Sequence, residues 1–125
     1  ADTADYQSLL SQRMVRPSRV EVWVANADGS NPRQITSLGG ANFAPVFTPD
    51  GRKIIFSSNF EKPRSGEFDL FLINVDGTGL EKITTHPDFD SFPMFSYDGK
   101  RLIWASNRNQ KGVGETNLFI ADWVE

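Results

Sequence analysis

Short runs of apolar and β-branched residues, separated by turn signals, cover most of the chain and predict nine strands. The first run, residues 20–25, ends at Asp28-Gly29, a dipeptide that supplies the positive φ of a tight hairpin turn. The other predicted strands are residues 33–36, 43–48, 53–58, 68–74, 80–84, 92–96, 101–106 and 117–122. The pattern is therefore that of an all-β chain built from hairpins.

The first eighteen residues follow a different pattern. Apolar side chains recur at near-helical spacing over residues 2–15, at Tyr6, Leu9, Leu10 and Met14. Asp2 or Thr3 can cap this helix, and Pro17 is expected to end it. We predict that residues 1–18 form a helical arm or an insertion between repeated units.

The strand pattern repeats with a period of 48 residues. Asp50-Gly51 returns as Asp98-Gly99, and Asp28-Gly29 returns as Asp76-Gly77. The same offset relates Ile35-Thr36 to Ile83-Thr84, Pro45 to Pro93, Ser58-Asn59 to Ser106-Asn107, Gly66-Glu67 to Gly114-Glu115, and Leu70-Phe71 to Leu118-Phe119. A fixed period of this length indicates a repeat architecture.

Each repeat holds four short strands, a to d, and four-stranded units of this length are typical of β-propeller blades. Residues 53–56 and 102–105 are apolar at almost every position, which favours strands that are buried on both faces. We predict an all-β fold in which residues 19–125 form about two and a half antiparallel blades (c-d, a-b-c-d, a-b-c) after a short N-terminal helix. Such a unit cannot close a ring by itself, so further blades, copies of the chain or a partner are expected to cover its open edges.

Composition narrows the possible functions. The formal net charge is −3, and no run of Lys and Arg indicates nucleic-acid binding. The chain has no cysteine, which excludes disulfides and thiol chemistry. No stretch approaches the roughly 18 apolar residues of a membrane helix. The N-terminus lacks the basic and apolar regions of a signal peptide, so we expect no uncleaved signal peptide in this sequence.

Two segments resemble a known family. Residues 48–59 (TPDGRKIIFSSN) and 69–78 (DLFLINVDGT) are similar to the two halves of the WD40-like repeat of TolB-type β-propellers. The resemblance covers about residues 19–125, and the second copy has Tyr97 where the family usually has Pro. It implies a six-bladed periplasmic propeller of which this chain is a C-terminal portion, and a periplasmic or envelope location.

The predicted turns and loops lie at two ends of the blades. The a–b and c–d turns share one end, where we expect structural turn residues: Asp28, Gly29, Asp50, Gly51, Asp76, Gly77, Asp98 and Gly99. The b–c and d–a loops share the other end and are longer and more varied, so we expect the binding surface there. The candidate binding residues are Asn42, Phe43, Asn59, His86, Phe89, Asp90, Asn107 and Arg108. Asn59 and Asn107 also have a structural interpretation, in which they bond loop carbonyls.

The predicted function is a non-catalytic scaffold that binds a protein, a peptide or an envelope component, with no cofactor, metal or catalytic residue. The chain has no nucleophile elbow, no second histidine and no glycine-rich phosphate loop. The alternative is an accessory or gating propeller of a prolyl-oligopeptidase-like hydrolase, or a lactonase-like metal-dependent propeller. For a metal, His86, Asp88 and Asp90 are the candidate ligands, and local backbone bonding by the two aspartates is the competing interpretation.

Overall fold

The computed structural model describes residues 2–13 and 19–125. A helix, α1 (Asp2–Ser11), precedes nine strands in three antiparallel sheets. The first sheet pairs β1 (Trp23–Val24) with β2 (Arg33–Gln34). The second has the order β3 (Asn42–Phe47), β4 (Lys53–Ser58), β5 (Asp69–Asn74), β6 (Glu81–Lys82), and the third β7 (Asp90–Phe95), β8 (Arg101–Ser106), β9 (Asn117–Asp122). These two-, four- and three-stranded sheets confirm the predicted blade order.

The 48-residue period is visible in the strand registers. In the second sheet Asn42 pairs with Ser58, and in the third Asp90 pairs with Ser106. Each first strand then carries a bulge at the same repeat position, where Ala44 has a φ of 53° and Phe92 a φ of 55°. The hairpins at residues 42–59 and 90–107 are therefore equivalent, as the repeat predicts.

The fourth strand of each unit, strand d, is shorter than predicted. The strand predicted at residues 33–36 is only Arg33–Gln34, and the one predicted at 80–84 is only Glu81–Lys82. At both places a threonine ends the ladder, because its Oγ1 accepts a backbone amide of the neighbouring strand. Thr36 accepts from Val22 at 2.8 Å and Thr84 from Leu70 at 2.9 Å. The strand predicted at 20–25 is likewise reduced to Trp23–Val24, since it pairs with that short strand and otherwise makes an isolated bridge from Val20 to Ala41.

Two hydrophobic clusters fill the spaces between neighbouring sheets. The first contains Val22 and Ile35 from the first sheet region, packed against Ile54, Phe56, Phe71 and Ile73 of the second sheet. The other joins Ile55, Leu70 and Leu72 of the second sheet to Leu102 and Trp104 of the third. Strand β4 is thus buried on both faces, as its composition predicts. In β8 the alternate residues Ile103 and Ala105 are only partly buried.

The partial burial of β8 reflects an uncovered face of the third sheet. Met94, Leu118 and Ile120 are 64%, 77% and 56% exposed. The 48-residue offset relates them to Val46, Leu70 and Leu72, which pack between the second and third sheets. This face therefore has the composition of an interface between sheets.

The helix is shorter than the predicted residues 2–15. After Ser11 the amides of Gln12 and Arg13 bond carbonyls three residues earlier, and Arg13 has a φ of 59°, which ends the helical turn. The predicted stop at Pro17 lies outside the described residues. Within the described ranges the helix contacts none of the strands, and it is far too short to cross a membrane; no helix there is long and apolar enough to do so.

Candidate functional site

The short turns all lie at one end of the sheets, here called the turn end, and their polar atoms are used locally. Asp50 accepts the amide of Arg52 at 2.9 Å and the hydroxyl of Thr48 at 2.7 Å, and Asp98 repeats this with Lys100 and Ser96. Hydrogen bonds of this kind lower the pKa of Asp28, Asp50, Asp76 and Asp98. Gly29, Gly51, Gly77 and Gly99 follow them with φ between 70° and 87°.

The opposite end, here called the loop end, carries segments 38–42, 60–67, 86–91 and 108–114. Two repeated asparagines hold these segments in place. Asn59 accepts the amide of Ala41 at 2.8 Å, and Asn107 accepts the amide of Phe89, also at 2.8 Å. The partners are therefore loop amides, where the sequence suggested loop carbonyls. Both side chains orient the loop that leads into the next sheet.

Asn42 is buried and its amide is fully used inside the protein. Its Nδ2 donates to the carbonyls of Val20 and Gly39, both at 3.0 Å, and to the carboxylate of Glu21 at 3.2 Å. Its Oδ1 accepts from the hydroxyl of Ser58. With 1% exposure, Asn42 joins the first sheet to the second and has no surface for a ligand.

Asp90 and Arg108 form an ion pair at the corresponding place in the third sheet. The 48-residue offset relates them to Asn42 and Phe60. Arg108 Nη2 lies 2.6 Å from Asp90 Oδ2, and these side chains are 19% and 0% exposed. The guanidinium also lies over the rings of Trp104 and Phe119, at 5.6 and 5.5 Å from their centroids. An ion pair has thus replaced the amide and the aromatic ring of the preceding repeat.

Four phenylalanines form a continuous cluster at the loop end, here called the phenylalanine cluster: Phe43, Phe68, Phe89 and Phe92. Their ring centroids lie between 5.4 and 6.4 Å apart in edge-to-face or tilted arrangements, as aromatic pairs prefer. Phe68 is buried, whereas Phe92 is 57% exposed. The cluster joins the first strands of the second and third sheets and presents one aromatic side chain to solvent.

Phe92 occupies a costly backbone conformation. A left-handed φ costs a residue with a side chain roughly 1–2 kcal/mol, and it is uncommon for a bulky one. The bulge in β7 tolerates this conformation because Ser91 before it and Met94 after it are both fixed by pairing with β8. Such bulges redirect a side chain, and this one places the Phe92 ring at the surface end of the phenylalanine cluster.

The three candidate metal ligands do not converge. His86 Nδ1 lies 2.6 Å from Asp88 Oδ2, while Asp90 is directed to Arg108. Across residues 2–13 and 19–125, no group of three or more His, Asp or Glu side chains is arranged to hold a metal ion. The competing interpretation was that both aspartates bond their own backbone. The structure shows other partners, since Asp88 contacts His86 and Asp90 contacts Arg108.

A second buried carboxylate, Asp69, lies beside this region. Burial raises its pKa, and the nearby carboxylate of Asp90 acts in the same direction. Lys82 opposes the shift, with its Nζ 3.2 Å from Asp69 Oδ2. In the preceding repeat the equivalent pair is Glu21 and Asn42, which share a hydrogen bond. Where the preceding repeat has a carboxylate and an amide, this repeat therefore has two acids, and their charges repel each other.

Most of the binding residues predicted from the sequence thus fall into two groups, one in the phenylalanine cluster and one buried inside the protein. It brings Phe43 and Phe89 together in the phenylalanine cluster, and it buries Asn42, Asn59 and Asp90. Sequence reasoning missed Phe68 and Phe92, which supply the other two rings. Their proximity follows from the parallel bridge between Phe68 and Phe89 and from the bulge at Phe92, and neither feature has a signal in a single sequence.

Three antiparallel sheets of two, four and three strands, related by one 48-residue period, define the molecule as part of a β-propeller. A family model described as the TolB beta propeller domain matches residues 10–122, and the chain belongs to that family. Among curated protein sequences none matches significantly.

Solved structures agree with this assignment. A putative TolB from Agrobacterium tumefaciens is 25% identical with a TM-score of 0.69, over 87% of this chain and 39% of that one. TolB from Acinetobacter baumannii is 23% identical with a TM-score of 0.67, over 84% of this chain and 24% of that one. The tricorn protease shares the fold at 18% identity, with a TM-score of 0.58 over 82% and 11% of the two chains. The chain therefore spans less than half the length of the TolB structures that it resembles.

Proposed function

We propose that the chain is part of a non-catalytic binding scaffold that recognises a peptide segment of a protein partner at its loop end. The observation that carries the proposal is the phenylalanine cluster, with the exposed ring of Phe92 at its edge. Large aromatic side chains of this kind dominate the binding energy of protein interfaces. A partner segment with an apolar or aromatic residue would pack against Phe92 and Phe43.

The rest of the loop end supports this role. Asn59 and Asn107 hold the loops rigidly, so little conformational entropy would be lost when a partner binds. At the turn end the aspartate carboxylates are bonded to their own turns, which leaves them less able to bind a partner. His86, Phe89 and Arg108 lie along the loop end and would contribute polar and aromatic contacts at the rim.

The wider setting is proposed from the family. TolB-type propellers imply an envelope or periplasmic location, and we propose the same for this chain. The chain is expected to act together with further blades that cover the exposed face of the third sheet. Residues 1–18 would then be a helical arm or an insertion between blades, and residues 19–125 the propeller unit.

Peptide display on the immobilised full chain tests the proposal. A random peptide library is selected on the chain, and the affinity of the enriched peptides is measured for the Phe92→Ser variant. We expect enriched peptides to carry aromatic or large apolar residues and to bind Phe92→Ser at least tenfold more weakly, since a buried aromatic contact is worth more than about 1.4 kcal/mol.

The matched control is Phe47→Ser. Phe47 lies at the other end of β3 and is 54% exposed, close to the 57% of Phe92. Peptides that lose affinity equally for both variants would show only general hydrophobic adhesion. Peptides that bind Phe92→Ser as tightly as the unchanged chain would place the binding surface elsewhere and refute the proposal.

A further inference from the structure

Two buried aspartates, here called the carboxylate pair, adjoin the phenylalanine cluster. Asp69 follows Phe68 at the start of β5, and Asp90 follows Phe89 at the start of β7. The two aspartates are only 4% and 0% exposed. Between them lies the parallel bridge of Phe68 and Phe89, in which the amide of Asp90 donates to the carbonyl of Phe68 at 2.8 Å. The carboxylate pair therefore lies where the second and third sheets meet.

The preceding interface, between the first and second sheets, has a well-bonded carboxylate at the same place. There Glu21 accepts the backbone amides of Leu38 and Gly39, at 3.4 and 3.0 Å. It also accepts the side-chain amide of Asn42 at 3.2 Å and the hydroxyl of Thr36 at 2.5 Å. These four donors satisfy the carboxylate without placing a second negative charge beside it.

Replacements in the next repeat remove most of these donors from Asp69. The residue 48 positions after Asn42 is Asp90, a second acid, and the residue 48 positions after Gly39 is Pro87, which has no amide hydrogen. The equivalent threonine hydroxyl lies 3.4 Å from Asp69 Oδ1. In the described part of the chain, the buried Oδ1 of Asp90 has no hydrogen-bond partner. The second and third sheets thus meet at two buried carboxylates that have too few donors.

Two cations compensate the carboxylate pair only in part. Arg108 Nη2 lies 2.6 Å from Asp90 Oδ2. Lys82 Nζ lies 3.2 Å from Asp69 Oδ2 but 2.7 Å from Glu61 Oε2, and its side chain is 30% exposed. Of the two acids, Asp69 therefore has the weaker counter-charge. Burial raises its pKa, and the nearby carboxylates act in the same direction.

The other charged side chains around Asp69 bond one another. Lys62 donates to Glu67 at 2.7 Å in the loop before β5, and His86 Nδ1 lies 2.6 Å from Asp88 Oδ2 in the loop before β7. Glu67 also adds a further negative charge near Asp69. A proton on Asp69 would remove the repulsion and supply a donor, because a carboxylic acid donates one hydrogen bond.

We propose that the carboxylate pair is a pH-sensitive switch that regulates peptide binding at the phenylalanine cluster. At neutral pH the two carboxylates repel each other and weaken the bridge between Phe68 and Phe89. In mild acid Asp69 takes up a proton, the bridge tightens, and the four rings are fixed in the arrangement that binds a peptide. Proton uptake and peptide binding then strengthen each other, because both favour the tight bridge. This inference rests on the peptide-binding function proposed above, whose site it regulates.

Amide hydrogen exchange of the full chain tests the switch without a peptide. The reporters are the amides of Phe68 and Asp90, which bond across the bridge. The matched controls are the amides of Val20 and Asn42, which make the same bonds in the preceding interface. Between pH 7.5 and pH 4.5 we expect the protection of the reporters to rise about threefold or more relative to the controls. A group with a raised pKa stabilises below that pKa and loses this effect as pH rises through it.

Three variants assign the pH dependence to Asp69. Asp69→Asn has no charge to lose, so the protection of its reporters should be the same at both pH values. Asp122→Asn is the matched control, since it removes a carboxylate that is 92% exposed, and it should keep the full pH dependence. His86→Gln should also keep it, which excludes a histidine, the side chain that ordinarily titrates in this range. The comparison of the two interfaces within the unchanged chain needs no variant and stands even if Asp69→Asn does not fold.

Peptides whose affinity depends on Phe92 test the regulation itself. Amidated peptides without Asp, Glu or His are used, so that their own charge changes little with pH. We expect them to bind the unchanged chain about threefold or more tightly at pH 4.5 than at pH 7.5, because linkage makes the two couplings equal. The same peptides should bind Asp69→Asn equally well at both pH values.

Reporters that follow the controls at every pH would overturn the switch. A full pH dependence in Asp69→Asn would also overturn it, since the effect would belong to another group. If the reporters respond to pH but the affinity of Phe92-dependent peptides does not, the regulation of binding is refuted and the proposed function stands. If no peptide depends on Phe92, the proposed function fails and the regulation fails with it, whatever hydrogen exchange shows at the bridge.

Discussion

Substitutions of the ion pair between Asp90 and Arg108 should change stability in a way that the preceding repeat allows us to predict. Asn42 and Phe60 hold the equivalent places in the preceding repeat, so Asp90→Asn with Arg108→Phe converts one arrangement into the other. The two single variants break the pair, and the double variant replaces it. Comparing all four chains measures how strongly the two side chains depend on each other.

The structure sets the expected magnitudes. Asp90 is 0% exposed, so Arg108→Phe leaves a buried charge without its partner and should cost about 3 kcal/mol. Asp90→Asn should cost about 1–2 kcal/mol, because Arg108 keeps 19% exposure and its bond to Ser106.

The double variant should recover most of this loss. The asparagine introduced at position 90 can bond Ser106 as Asn42 bonds Ser58. The phenylalanine introduced at position 108 can pack on the neighbouring strand as Phe60 packs on Phe71, with ring centroids 4.9 Å apart. We expect the double variant to lie within about 1 kcal/mol of the unchanged chain.

Urea unfolding at pH 7, followed by tryptophan fluorescence, measures these differences. The expected coupling between the two sites is about 3 kcal/mol, at the upper end of what neighbouring residues show. Lys62→Met is the control, since its ion pair with Glu67 is 61% exposed on the lysine side and should matter by less than about 0.5 kcal/mol. Additive effects of the single substitutions, or a stable Arg108→Phe chain, would refute the reasoning.

Three further predictions follow from individual residues. Ala44→Gly should raise stability by about 1 kcal/mol in urea unfolding, because Ala44 has a φ of 53°, whereas a loss would mean that its methyl group packs usefully. Burial raises the pKa of Asp69 above 3.8, so its contribution to stability is greatest below pH 3.8 and is lost as pH rises through the raised value. Urea midpoints of the unchanged chain relative to Asp69→Asn should fall over that window, and a constant or rising difference would contradict this. Leu118→Lys with Ile120→Lys should reduce the self-association that light scattering detects, and an already monodisperse chain would show that the third-sheet face is not adhesive.

Much of the fold could be predicted because it follows from local chemistry repeated at one spacing. The Asp-Gly turns fix where strands reverse, and the apolar run at residues 53–56 requires burial on both faces, as β4 shows. Strand lengths were harder to predict. Thr36 and Thr84 end their ladders through side-chain bonds to another strand, and those bonds depend on contacts 14 residues away in the chain.

The candidate site was only partly predictable, since the sequence indicates which end of the sheets is variable but not which side chains meet there. Asn42 and Asp90 occupy one repeat position, yet the first bonds a loop and the second an arginine. Phe92 reaches the surface because of a β-bulge, and the pattern of residues along the chain does not indicate where that bulge lies.

The sequence by itself therefore determined the turns, the period and the all-β blades, because each depends on residues close together in the chain. Tertiary structure alone decided the phenylalanine cluster, the buried ion pair and the carboxylate pair. These form between sheets, where packing brings together side chains that are distant in sequence. The effect of a replacement such as Phe60 by Arg108 therefore depends on the side chains that surround it in the folded chain.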